Sequence, residues 1–105
     1  MAGITFKIQG EKKVILFEEK IHRYLRKREG DVVKYGILLN LDPYGYCEFK
    51  SSQIQELTLL CDDLIEKYND EFSWEHNKVR KFCIKFKTIC LEALEKKKHI
   101  VGSGD

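Results

Sequence analysis

The sequence holds one proline and one tryptophan, and no apolar run approaches the ~18–20 residues that span a bilayer. Its opening Met-Ala-Gly-Ile-Thr-Phe-Lys lacks the charged-then-apolar layout of a signal peptide, so the expected location is the cytoplasm. There is no Gly-x-Gly-x-x-Gly, Gly-Lys-Ser/Thr, His-Glu-x-x-His or Gly-x-Ser-x-Gly. Phosphate cradling, zinc-peptidase and esterase chemistry therefore have no recognisable carrier. His22, His76 and His99 stand apart on polar stretches, with no sign of a Cys–His nucleophile pair. Neither an enzyme nor a cofactor is expected. Repeats, linkers and low-complexity segments are also missing.

Cysteine is present four times, at Cys47, Cys61, Cys83 and Cys90, with gaps of 14, 22 and 7 residues. No Cys-x-x-Cys pair occurs, and a zinc site usually needs closely spaced ligand pairs. No metal is expected. Three of the four fall on apolar helix faces and read as buried, reduced thiols.

What is there is a globular composition, 43% hydrophobic and 34% charged over 105 residues. That length suits a single domain spanning 1–105. A chain of this size buries roughly two-thirds of its unfolded surface and can fold without staples.

Ile4, Phe6 and Ile8 alternate with polar residues, which predicts a strand. From Glu11 to Arg28, apolar residues recur at Val14, Phe17, Ile21, Tyr24 and Leu25, which predicts a helix. The alternative is a strand at Val14–Phe17 feeding a shorter helix. Val33, Tyr35, Ile37, Leu39 and Leu41 predict a strand, and Asp42-Pro43-Tyr44-Gly45 a turn. Tyr46–Phe49 then returns to complete a hairpin over 33–49. Ser52 and Gln55 form a capping-box pattern before the stripe Ile54, Leu57, Cys61, Leu64, Ile65 and Tyr68. Ser73 caps a third helix with the stripe Val79, Phe82, Cys83, Phe86, Cys90, Ala93 and Leu94. His99-Ile100-Val101 predicts a last short strand, and Gly102–Asp105 a frayed tail. The fold class is α+β or α/β: a small sheet of three to four strands packed against two to three helices.

The net charge of +2 conceals segregation. Residues 1–41 carry nine basic and five acidic side chains, residues 42–75 two and nine, residues 76–105 eight and three. At 100° per residue, the side of the middle helix opposite its core stripe holds Glu56, Asp62, Asp63, Glu66 and Asp70, with Leu59 among them. An apolar anchor ringed by acids suits a basic protein partner, and an ordinary solvated face is the bland alternative. On the basic side, His22, Arg23, Arg26, Lys27 and Arg28 cluster, and Lys78, Lys81 and Lys85 share one helix face. These make a small nucleic-acid-binding regulator the competing reading. The pI of 8.3 is below that of strongly basic nucleic-acid binders.

One stretch carries a resemblance. Gly36-Ile37-Leu38-Leu39-Asn40-Leu41-Asp42-Pro43-Tyr44-Gly45, the strand ending in Phe49, and Gln53-Ile54-Gln55-Glu56-Leu57 resemble small bacterial immunity proteins of polymorphic-toxin and contact-dependent growth-inhibition systems. The terminal Gly104-Asp105 resembles them too. The likeness covers about a quarter of the chain. It implies a cytoplasmic antitoxin that binds a cognate toxin domain, with a nuclease as one option, and blocks its active site. It implies neither a small-molecule substrate nor a membrane.

Overall fold

The computed structural model describes residues 3–104; Asp105 of the tail and the first two residues lie outside them. Four strands, β1 (Gly3–Ile8), β2 (Val14–Glu18), β3 (Tyr46–Phe49) and β4 (Ile100–Ser103), form one antiparallel sheet in the order β2-β1-β4-β3. The helices are α1 (Glu19–Glu29), α2 (Gly36–Leu39), α3 (Ser51–Lys67) and α4 (Trp74–Lys96), with a 3₁₀ turn at Val33–Tyr35 before α2. The fold is a small α+β one.

The pleat divides the sheet's residues between two environments. Ile4, Phe6, Ile8, Ile15, Phe17, Phe49 and Ile100 share a face and are all buried. Phe17 stacks on Phe82 of α4 at 4.4 Å between ring centroids, and Phe6 meets Phe86 at 4.7 Å. Each such ring contributes about 1.5–3 kcal/mol by leaving water. The opposite face carries Lys7, Val14, Tyr46, Glu48 and Ser103, all exposed, as an antiparallel sheet with one solvated side does.

Two readings of the chain need correction. Residues 11–28 are not one helix: Val14–Glu18 is a strand and α1 begins at Glu19. The hairpin over 33–49 is absent as well. The segment before the turn is the 3₁₀ turn and α2, and β3 pairs with β4. In Val32–Leu41 seven of ten positions are apolar, so periods of 2 and 3.6 both fit. Tertiary packing decides: Tyr35, Leu38 and Leu39 are buried at helical spacing, while Val33 is 93% exposed. The strand predicted before Asp42 is therefore helical here.

The turn itself forms as read. The Gly45 N–H donates to the Asp42 carbonyl at 3.1 Å, and Asp42 Oδ1 accepts from the Tyr44 N–H at 2.9 Å. The tail is not frayed through Gly104, because the Gly104 N–H donates to the Gly45 carbonyl at 2.7 Å. A side chain at Gly104 would put its Cβ only 2.1 Å from the Pro43 carbonyl oxygen.

α3 and α4 pack extensively against each other, and both reach the sheet. The cap of α3 sits two residues earlier than read, at Lys50: Gln53 Oε1 accepts from the Lys50 N–H at 2.9 Å. Ser73 caps α4 as expected, its Oγ accepting from the His76 N–H at 3.2 Å. Leu60 and Ile89 join the expected stripes in the core. Cys61, Cys83 and Cys90 are buried free thiols. A hydrogen bond with Cys61, then burial, pushes the Cys83 thiol far up. Burial pushes Cys90 up to about 12. All three are buried away from reagent, so they should resist alkylation in the native protein. Iodoacetamide labelling followed by mass spectrometry should modify Cys47 alone at a measurable rate, and all four cysteines in denaturant. Rapid native labelling of Cys61, or a disulfide among the three, would contradict this packing.

Candidate partner-binding face

The outward side of α3 is built by its own period. Ile54, Leu57, Leu60, Cys61 and Leu64 turn inward and are buried, which forces Leu59 outward, where it is 69% exposed. Leu59, Leu60, Glu56, Asp62, Asp63 and Lys34 line an open groove of roughly 510 Å³. A second hollow, of roughly 470 Å³, shares Asp63 and is lined by Tyr35, Glu66, Lys67 and Asn69. The two form a continuous seam along α3.

The acids of this seam differ in what already neutralises them. Asp62 Oδ1 takes Lys87 Nζ from α4 at 2.5 Å. Asp63 Oδ2 is ion-paired with Lys34 Nζ and accepts from the Tyr35 hydroxyl at 3.4 Å. The hydrogen bond from Lys34 holds the Asp63 carboxyl below its ordinary value, and the same bond raises the Lys34 ammonium. Among the described residues, Glu56 and Glu66 have no ion-pair partner. Leu59 thus lies one turn N-terminal to two internally paired aspartates, with the unpaired Glu56 and Glu66 on either side of it along the helix.

Five of the six residues read from sequence come together here: Glu56, Leu59, Asp62, Asp63 and Glu66. Asp70 does not. Its Oδ1 accepts from the Phe72 N–H at 3.0 Å and its own N–H donates to His76 Nδ1 at 3.2 Å, so it builds the α3–α4 loop. Sequence reasoning missed Lys34 and Tyr35, which it placed on a strand. The loop also leaves Phe72 92% and Trp74 57% exposed.

The basic cluster on α1 loses a member. His22 is buried, its Nε2 lying 2.9 Å from the Leu39 carbonyl oxygen and its ring 4.8 Å from Phe17. Burial holds its imidazole below the ordinary value. The neutral ring donates to Leu39 and ties α1 to α2. Among the described residues, no group of three His, Cys, Asp or Glu is placed to hold a metal ion, and no helix is long and apolar enough to cross a membrane.

Fold and site together define an α+β protein whose helices cover one side of a four-stranded sheet and present an acidic, leucine-centred seam. No family model, curated protein or solved structure matches the chain.

Proposed function

We propose that this chain is a protein-binding module that docks the α3 seam onto a basic protein and, as an immunity protein, neutralises a bacterial toxin domain by covering its active site. The observation that carries the reading is Leu59, 69% exposed at the centre of a groove walled by Glu56, Asp62 and Asp63. Apolar anchors surrounded by charge dominate the affinity of protein interfaces, while the charges set partner sign and association rate. A positively charged substrate cleft, such as a nuclease has, is the matching surface. The resemblance at Gly36–Gly45 and Gln53–Leu57 supports the antitoxin role within that class.

The test is a kinetic titration of the full chain and its variants against any basic toxin-like polypeptide found encoded beside its gene. Leu59→Ala should cost more than about 1 kcal/mol, mainly through faster dissociation. Glu56→Lys with Glu66→Lys should slow association and flatten its salt dependence. These two glutamates report steering more cleanly than Asp62 or Asp63, whose reversal would also set two ammonium groups against each other. Folding stability should change by no more than about 0.5 kcal/mol in each glutamate variant. Unchanged affinity across Leu59, Glu56 and Glu66 would remove the interface from α3.

A further inference from the structure

We propose that the groove between the free edge of β2 and α4 docks an acidic, extended segment of another protein, which adds to the sheet as a fifth strand. β2 is the outermost strand, paired with β1 alone. Among the described residues, no loop or turn backbone hydrogen bond reaches the main chain of residues 14–17. Alternate N–H and C=O groups of this edge therefore face away from the sheet without a strand to pair with. Beside the edge lies a groove of roughly 240 Å³, with Ile15, Ile21 and Phe82 as its apolar floor and Lys78, Lys81 and Lys85 as its wall.

The charge names the occupant. Among the described residues, Lys81 and Lys85 make no ion pair, and Lys78 has only Glu18, at 3.8 Å. Lys12 and Lys13, both exposed, lead directly into the strand. Glu18 is the one carboxylate lining the groove. From Lys78 to Lys85 the helix rises about 10.5 Å, the length of three to four residues of extended chain. A segment with two or three carboxylates within about five residues matches that span. Strand addition gives it affinity through main-chain hydrogen bonds, and the lysine wall gives it sign selectivity. A second copy of this chain is a poor occupant, because pairing two β2 edges would bring two lysine walls together. Nucleic acid would use the charge but leave the peptide edge unpaired. This surface shares no residue with the α3 seam and does not depend on the function proposed for it.

The probe is a capped heptapeptide, Thr-Glu-Val-Glu-Val-Glu-Thr, titrated into the ¹⁵N-labelled full chain. Binding should shift the amide signals of Val14–Glu18, slow their hydrogen exchange and weaken with added salt. Lys81→Ser with Lys85→Ser, both at exposed positions, should reduce affinity at least about tenfold, equivalent to about 1.4 kcal/mol. The same peptide N-methylated at alternate amides keeps its charge but loses donors and should not bind. Leu59→Ala should bind the heptapeptide as the parent chain does, which separates this site from the α3 seam. The proposal falls if the heptapeptide does not bind, if the lysine variant binds it unchanged, or if the N-methylated peptide binds equally well. It falls too if single-stranded DNA of equal charge binds more tightly through the same lysines.

Discussion

Gly102→Val should lower the melting temperature by roughly 12–24 °C, the effect of about 3 kcal/mol of overpacking in a chain this size. Gly102 sits in β4 between Phe6 of β1 and Cys47 of β3, on the side-chain row that faces the helices. A Cβ there would lie 2.7 Å from Cys47 Sγ and 2.7 Å from the Phe6 ring. The missing side chain is the slot into which Phe6 lies, and Phe6 in turn contacts Phe17, Phe49 and Phe86. Valine branches at Cβ, so rotamer changes cannot move it out of that slot. The check is a thermal melt of Gly102→Val beside the double variant Gly102→Val, Phe6→Leu. The smaller leucine should recover part of the loss, since neighbouring substitutions do not add. Full stability of the single variant would show that the ring has room to move.

Much of this architecture is legible where one period excludes the other. Ile4, Phe6 and Ile8 alternate and can only be a half-buried strand. Ile54, Leu57, Cys61 and Leu64 repeat at three and four and can only be a helix. The misreadings fall where both patterns coexist. Phe17, Ile21 and Leu25 are buried at helical spacing, yet Phe17 belongs to β2 and the other two to α1. Three residues in a line across a strand–helix junction counterfeit one continuous stripe. The local clue was Ile15 and Phe17 buried with Val14 half-exposed, and that alternation depends on β1 being alongside. Likewise β3 reads as a strand, but its partner does not follow from the turn before it. β4, contributed by the far end of the chain, occupies that position.

The same division holds for the α3 seam. Leu59 and its acids are set by helical geometry within one element, so their common face could be read from the sequence. Their neutralisation could not, because Lys34 and Lys87 reach Asp63 and Asp62 from other elements. His22 shows the reverse case. It reads as part of a basic surface cluster, yet the Leu39 carbonyl gives it a buried partner, and burial keeps it neutral. A polar side chain's location follows its partner, and partners distant in sequence are invisible until the chain folds.

Glu29→Ala should cost about 3 kcal/mol, and Glu29→Gln should flatten the acid limb of the stability curve. Glu29 is the last residue of α1 and is only 5% exposed, at a helix end where the dipole disfavours a carboxylate. It is kept there by α3: Lys67 Nζ donates to its Oε1 at 2.7 Å and the Tyr68 hydroxyl to its Oε2 at 2.5 Å. Burial pushes the Glu29 carboxyl up, and these two bonds, together with the charges of Lys67 and Arg28, more than reverse it, leaving it below the ordinary value of 4.5. Alanine leaves the hydroxyl of Tyr68, itself 2% exposed, without its carboxylate acceptor. Lys67 is half-exposed and finds water, so its share of the loss is smaller. Because the folded carboxyl is the stronger acid, its contribution is complete above pH 4.5 and disappears as the pH falls through the lower folded value. The parent chain should therefore lose stability in that acid window, while Glu29→Gln, which cannot ionise, should start lower and change less. Glu11, held below its ordinary value by Lys96, adds the same acid slope to both proteins and cancels in the comparison, and Asp63, which also feels Lys67, is replaced by Asn in both. Thermal melts of the two proteins from pH 7 down to about pH 3 measure this directly. Parallel curves would mean that Lys67 and Tyr68 do not hold the Glu29 carboxylate ionised, and that the join between α1 and α3 is apolar in origin.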